Sequence, residues 1–358
     1  MIGPPANILV IKLRYIGDVL LTTPFLRVLR ESLPTSHITV LVNPGTESVL
    51  HQNPNVDHIA ILPRGNWAQQ IQFFQGIRSR HFDCVIDLTD GDRSALLTFL
   101  SGARLRIGFN HEGRWRGKAY SWCVNGQYGT THMLNYHARA LIPLGIEPRV
   151  CSPEIVLTDQ ERQSVDRLLA RYALHNKKWV MLHPAARYWF KAWAPQRFAE
   201  VGDALIRDGY HVVVVGSESE QELVNQVMHS AQQTFVSLVG QTTLRELAGL
   251  MQHCRLFVGN DAGPMHMAAA VGCPVLALFG PTDPAVWGPW GTHCQTIYKG
   301  LDCRECFHPG CQRGEASCMN LIGVGEVLQA ARRLLSIKEG MGGRDEKRKD
   351  YGKGGKGA

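Results

Sequence analysis

The sequence predicts an α/β protein made of two doubly wound domains facing each other across a cleft. Three observations lead there. Runs such as ILVIKL (8–13), WVMLH (179–183) and HVVVVG (211–216) are apolar at nearly every position, as strands are when both faces of a parallel sheet are covered. Such runs alternate with helix-length amphipathic segments, which is the order of βαβ units. The alternation then restarts after PLGIEPRVCSPEIVL (143–157), in a chain of 358 residues that is too long for one typical core.

Taken in order, strands are predicted at 8–13, 38–42, 58–62, 83–87 and 104–108, with helices at 18–33, 67–80, 92–101 and 131–143. Pro24 either kinks the first helix or begins it. The second series reads as helix 159–173, strand 179–183, helix 195–208, strand 211–216, helix 219–231, strand 235–238, helix 243–252, strand 255–259, helix 264–271 and strand 273–280. The domains are set at 1–155 and 156–337. A Gly-rich tail, 338–358, carries seven Lys/Arg against four Asp/Glu and reads as a disordered basic end. In doubly wound sheets ligands bind at the carboxyl ends of the strands, so the residues that follow each strand are the candidates for chemistry.

Composition narrows the class. Hydrophobic residues make up 44% and charged residues 19%, a globular profile. There is no uncharged apolar run long enough for a membrane helix. The N-terminus has no basic n-region and its apolar run is broken by Lys12 and Arg14, so a cytosolic protein is expected. In that compartment the ten Cys read as thiols or ligands. The net charge of +7 favours an anionic partner. Neither series has GxGxxG after its first strand; the fragment GVGEVL at 323–328 lacks the third Gly, which disfavours a nicotinamide or flavin enzyme.

Six segments could carry chemistry. In RYIGDVLLTTPFL (14–26), Asp18 follows Gly17 where the first strand gives way to a helix; it is either the helix N-cap or a general base at the cleft floor. In VGNDAGPMHMAAAVG (258–272), Pro264 opens a helix of small residues beside Gly263, and the helix start is an anion site suited to a diphosphate. There Asp261 either caps the turn or serves the site, and His266 is either a phosphate ligand or a core histidine. In HPAARYWFKAW (183–193), Arg187 and Lys191 could neutralise a departing diphosphate, while the aromatics are read as packing. In GSESEQE (216–222), Glu218, Glu220 and Glu222 suit a helix start or hold ribose hydroxyls. Cys303, Cys306, Cys311 and Cys318, spaced C-x2-C-x4-C-x6-C, are loop thiols or ligands of zinc or an iron–sulfur cluster. The basic loop 104–118, with five Lys/Arg and one Glu, is either an acceptor or phospholipid surface or a solvated face.

The segments IKLRYIGDVLLTTP, GNDAGPMHMAAAVGCPVLALFGPTDPAVWGPW and the Cys-rich run resemble those of the lipopolysaccharide heptosyltransferases of glycosyltransferase family 9 over roughly residues 6–335. LRYIGDVLLTTP looks most like the heptosyltransferase III branch. The resemblance implies two Rossmann-like domains in the GT-B arrangement, the first binding the acceptor and the second the nucleotide sugar. It implies an inverting transfer with no required metal or cofactor. The implied donor is ADP-L-glycero-β-D-manno-heptose and the implied acceptor the inner core on lipid A, reached by peripheral association with the cytoplasmic face of the inner membrane; no nucleic-acid partner is expected. By the same resemblance Asp18 matches the catalytic base and Lys191 the lysine that binds the diphosphate and ribose. Asp261 matches the aspartate of the donor loop, with Gly263 and His266 beside it and the amides of Ala262, Gly263 and Pro264 receiving phosphates. Thr242 falls where adenine is contacted, and Glu222, or else Glu220, near the ribose acid. Two departures remove hydroxyl donors: Ala185-Ala186 stand in the first loop and Ala262 follows Asp261. Rival readings are a transferase or epimerase for another nucleotide sugar and a non-catalytic protein binding anionic lipid or nucleic acid.

Overall fold

The computed structural model describes residues 3–336 apart from 127, 304, 305 and 307–309; the predicted tail 338–358 lies outside the described residues. The chain divides into two units at Asp159/Gln160, with Ala285–Trp287 grouping with the first.

The first unit holds strands β1 (Asn7–Lys12), β2 (His37–Val42), β3 (His58–Ile61), β4 (Cys84–Asp87), β5 (Leu105–Phe109) and β6 (Trp122–Val124). They form one sheet in the order β3-β2-β1-β4-β5-β6, parallel throughout. Its helices are α1 (Ile16–Leu20), α2 (Thr23–Ser32), α3 (Trp67–Ser79), α4 (Asp92–Leu100) and α5 (Met133–Ala138), the last running into a 3-10 turn at Arg139–Leu144. The predicted helix 18–33 is thus two helices. Thr22 and Thr23 turn their hydroxyls back onto Val19 O and Leu20 O at 2.7 and 2.9 Å, and Pro24 starts α2 instead of kinking a longer helix. Helix 131–143 shortens in the same way, because Pro143 stands inside its last turn. Strand β6 was not predicted: three residues long, at the sheet edge and with two of them exposed, it lacks the apolar run of a central strand.

The second unit begins with α6 (Asp159–Arg171) and holds β7 (Trp179–His183), β8 (His211–Val214), β9 (Val236–Ser237), β10 (Leu256–Asn260), β11 (Val275–Phe279) and β12 (Cys294–Tyr298). The order β12-β11-β10-β7-β8-β9 is again parallel and repeats the first winding. Its helices are α7 (Pro195–Arg207), α8 (Gln221–Ser230), α9 (Leu244–His253), α10 (Gly263–Ala270) and α11 (Pro284–Trp287), and residues 324–336 are also helical. Strands β7, β10 and β11 are buried at every position, which is why they read as unbroken apolar runs. The core joins Val180, Leu182, Val212, Val258 and Leu278 to Phe198 and Leu205 of α7 and to Val327 and Ala331 of the last helix. The edge strand β12 and helix 324–336 were not predicted.

In each sheet the winding reverses next to the first strand, between β1 and β4 and between β7 and β10. The crevice at the carboxyl ends of those strands is where such sheets take ligands. Among the described residues, no helix is long and apolar enough to cross a membrane.

Candidate active site

In the first unit the chain leaves β1 at Lys12, turns, and enters α1. Tyr15, not Asp18, is the residue before the first helical turn, and no side chain caps this helix. The N-cap alternative for Asp18 therefore fails: Asp18 is the third helical residue, next to buried Gly17. Its partner is Lys12, whose ammonium lies 3.7 Å from Asp18 Oδ1. Lys12 is only 2% exposed, while the Asp18 side chain keeps 14% of its surface in solvent. Buried cations need partners, and this one has three: Lys12 Nζ donates to Leu88 O at 2.9 Å, meets His137 Nε2 at 3.1 Å and faces Asp18. His137 Nδ1 lies 3.4 Å from Leu21 O, so the tautomer that donates from Nδ1 leaves Nε2 to accept from the ammonium.

Burial pushes the Lys12 ammonium below its ordinary pKa; Asp18, Asp87 and Asp90 oppose that shift and Arg14 adds to it. Burial, with Lys12 second, holds the His137 imidazole well below its usual 6.5. The unfolded chain therefore takes up a proton below that pH that the folded chain refuses. The stability this histidine contributes is present above about 6.5 and is lost as pH falls, by up to about 1.4 kcal/mol per unit. His183, also lowered by burial, acts with the same sign. The denaturation midpoint is expected to fall between about pH 7.5 and about pH 5.5, and the fall to shrink in His137→Gln; an equal pH slope in both proteins would contradict the assignment.

Beside Lys12 stands a second network that the sequence reading missed. Asp87 ends β4, accepts from Tyr120 Oη at 2.8 Å and Thr89 N at 2.8 Å, and is pushed up by burial. Asp90 accepts from Tyr136 Oη at 3.2 Å and meets His111 Nδ1 at 2.6 Å and Arg116 Nη2 at 2.9 Å. The clue was VIDLTDGD (85–92), acids on both sides of a strand end. The basic loop 104–118 is thereby corrected in part: Arg116 is buried on Asp90, and Arg106 is bonded to Ala119 O and Ala103 O, so neither is a free surface cation.

In the second unit, β7 and β10 carry the site. Lys191, at the end of a 3-10 turn over Trp189–Lys191, donates to Asp261 Oδ2 at 2.5 Å. Asp261 follows β10 directly. A buried Asn260 clamps the two loops, accepting from Trp193 N at 3.1 Å and donating to Pro184 O at 2.7 Å; the sequence reading gave Asn260 no such role. Helix α10 opens at Gly263 with Ala262 as its N-cap in extended backbone and no side-chain cap. Pro264 has no N–H, which corrects the phosphate cradle to the amides of Ala262 and Gly263; Met265 N already donates to Ala262 O at 3.1 Å. His266 is buried on α10.

The remaining candidates divide. Arg187 is exposed and lies over the Tyr188 ring at 5.9 Å. Tyr188 and Phe190 stack on each other, and Trp193 is buried, as packing aromatics are; Trp189, also read as packing, instead stands 49% exposed at the surface. Glu220 Oε2 accepts from Ser217 N at 2.6 Å and lies 3.9 Å from His183 Nε2, so it closes its own helix start. Glu222 is exposed in the first turn of α8. Thr242 is half-buried just before Thr243, which caps α9. The Gly240 N–H donates to Gly216 O at 2.9 Å, so the loops bearing Thr242 and Glu220 lie side by side. Cys303, Cys306, Cys311 and Cys318 line one cavity with Trp189 and Phe190, and Arg313 Nε donates to Cys303 Sγ at 3.0 Å. Among the described residues, no group of three or more His, Cys, Asp or Glu is placed to hold a metal ion.

The family model described as glycosyltransferase family 9 (heptosyltransferase) matches residues 70–316. The chain is 30% identical over 336 residues to lipopolysaccharide heptosyltransferase 3 of Escherichia coli, covering 90% of this chain and 97% of that one. It is similar to the solved glycosyl transferase family 9 protein of Veillonella parvula DSM 2008, with a TM-score of 0.81 at 26% identity over 92% of this chain and 97% of that one. In fold it also matches the E. coli heptosyltransferase WaaC, solved with ADP-2-deoxy-2-fluoro heptose, with a TM-score of 0.67 at 19% identity over 91% and 99% of the two chains.

Proposed function

The chain belongs to glycosyltransferase family 9, the heptosyltransferases, and from that premise we propose that it moves heptose from ADP-L-glycero-β-D-manno-heptose to the inner core of lipopolysaccharide, with inversion and without a required metal. The resemblance of the sequence segments suggests the donor and acceptor, and the ADP-2-deoxy-2-fluoro heptose solved with the WaaC protein and the name of the E. coli relative support that choice. The observation that carries the reading is that the first strand of each sheet leads, at the point where the winding reverses, to an ionisable side chain set in a polar network: Asp18 after β1 and Lys191 after β7.

In this reading the first unit binds the acceptor. Asp18, held by Lys12, takes the proton of a heptose hydroxyl. That oxygen attacks the anomeric carbon from the face opposite ADP as the C–O bond to the diphosphate breaks, through an oxocarbenium-like transition state. The electron pair leaves on ADP. Lys191 and the amides of Ala262 and Gly263 meet the charge as it grows, so they lower the barrier more than they tighten the ground state. Asp261 aims Lys191 through the 2.5 Å contact, which gives this carboxylate a place beside a diphosphate that its own charge would otherwise forbid. Arg187 adds charge beside the same loop; Thr242 and Glu222 take the adenine and ribose, since Glu220 is held at its helix start. His266 supports α10 from its buried face. Because the acceptor is a membrane lipid, the enzyme works at the cytoplasmic face of the inner membrane as a peripheral protein.

The product's anomeric configuration tests this. An α-linked heptose, read from the one-bond carbon–hydrogen coupling of the new linkage with a chelator present, is the expected outcome; a β-linked product or a reaction abolished by the chelator would reject it.

A further inference from the structure

Of the twelve large apolar side chains that stand exposed among the described residues, ten belong to the first unit. Four of them lie on two neighbouring helices. Arg93 Nη2 on α4 donates to Gln70 Oε1 on α3 at 3.2 Å. Farther along, a Cβ at Gly102, just past α4, would meet the Arg78 guanidinium at 3.8 Å. The helices therefore run side by side in the same direction. The inner face of α3 gives Phe73 and Ile77 to the core that includes Val85 and Leu97. The face opposite Ile77 is polar, with Gln72, Gln75 and Ser79 exposed, and the flank of α3 that adjoins α4 places Trp67, Ile71 and Arg78 around half-buried Phe74 at spacings of four and seven. The outer stripe of α4 places Arg93, Leu96 and Phe99 at successive spacings of three. Trp67 is 77% exposed and Phe99 57%.

The outer face of α4, continued by that flank of α3, is the reverse of a helix face that meets only water, which shows its polar side outward. The charge beside it has one sign. Residues 58–82 hold Arg64, Arg78 and Arg80 and no Asp or Glu. The single acid of α4, Asp92, faces Arg114 and Arg116 at 3.9 and 3.7 Å. A second copy of the chain would bring like charge against like. An anionic bilayer brings the opposite charge, a headgroup layer that favours tryptophan and acyl chains that favour Ile, Leu and Phe.

We propose that the apolar seam made by the outer face of α4 and the adjoining flank of α3 docks the first unit on an anionic lipid bilayer. This deepens the reading above, from which it takes only that the acceptor is a membrane lipid; docking itself needs no turnover. The full chain is tested by sedimentation with phosphatidylglycerol-rich vesicles and with phosphatidylcholine vesicles. Wild type is expected to bind the first and not the second, with binding weakened by salt. The variant W67S/I71S/F99S and the variant R64Q/R78Q/R93Q are each expected to lose about tenfold or more in vesicle affinity. Both are expected to keep ADP release on a lipid-free core oligosaccharide and an unchanged circular dichroism spectrum, and Asp18→Asn to bind vesicles like wild type. Vesicle affinity unchanged in both variants, or absent in wild type, overturns the proposal. So does a wild-type dimer that the variants dissolve, which would assign the face to a second copy, or a loss of turnover on the lipid-free acceptor. Failure of transfer in every protein with vesicle binding intact would instead count against the proposed reaction alone.

Discussion

Replacing Asp18 with asparagine is expected to lower turnover by about 10²–10⁴-fold, the range general-base catalysis supplies, while leaving the affinity for ADP-heptose unchanged. Asparagine keeps the shape of the side chain in α1 but cannot take a proton. In the proposed reaction donor affinity resides in the second unit, in Lys191 and the start of α10, which the substitution does not touch. Single-turnover rates and calorimetric donor titration separate the two quantities. A rate within about tenfold of wild type would remove Asp18 as the base.

The second large effect is expected at Lys191. Its ammonium is the partner of an Asp261 side chain only 8% exposed, so Lys191→Ala does more than delete a cation. It leaves a carboxylate without its partner beside the site proposed for a diphosphate. The rate is expected to fall by about 10²–10³-fold, as when one transition-state donor is lost, and ADP affinity by about tenfold or more. The double variant Lys191→Ala, Asp261→Asn is expected to regain part of the ADP affinity, because the repelling charge is gone, but not the rate. Titration with ADP and initial rates for both variants check this; unchanged affinity and rate in Lys191→Ala would reject its role.

The parts of the molecule legible in sequence are those set by local pattern. The central strands showed themselves because each is apolar on both faces, and Pro264 marked the start of α10 because proline fits the first helical turn. What escaped is long-range. Lys12 reads as a charge interrupting an apolar strand; only the fold brings Leu88, His137 and Asp18 around its ammonium, with His137 lying 125 residues away. The Asn260 clamp and the Lys191–Asp261 pair join segments about 70 residues apart. The split of helix 18–33 was half legible: Pro24 flagged it, but the back-bonding hydroxyls of Thr22 and Thr23 choose two helices over one kinked helix. The edge strands β6 and β12 escaped because only one residue in each is fully buried, which leaves no run to see.

The most direct test of heptosyl transfer is ADP release from ADP-L-glycero-β-D-manno-heptose, measured with and without heptose-bearing core lipid A. Release that requires the acceptor, with heptose recovered on the core, is the expected result. Release independent of acceptor, or none with a panel of proven acceptors, would contradict it.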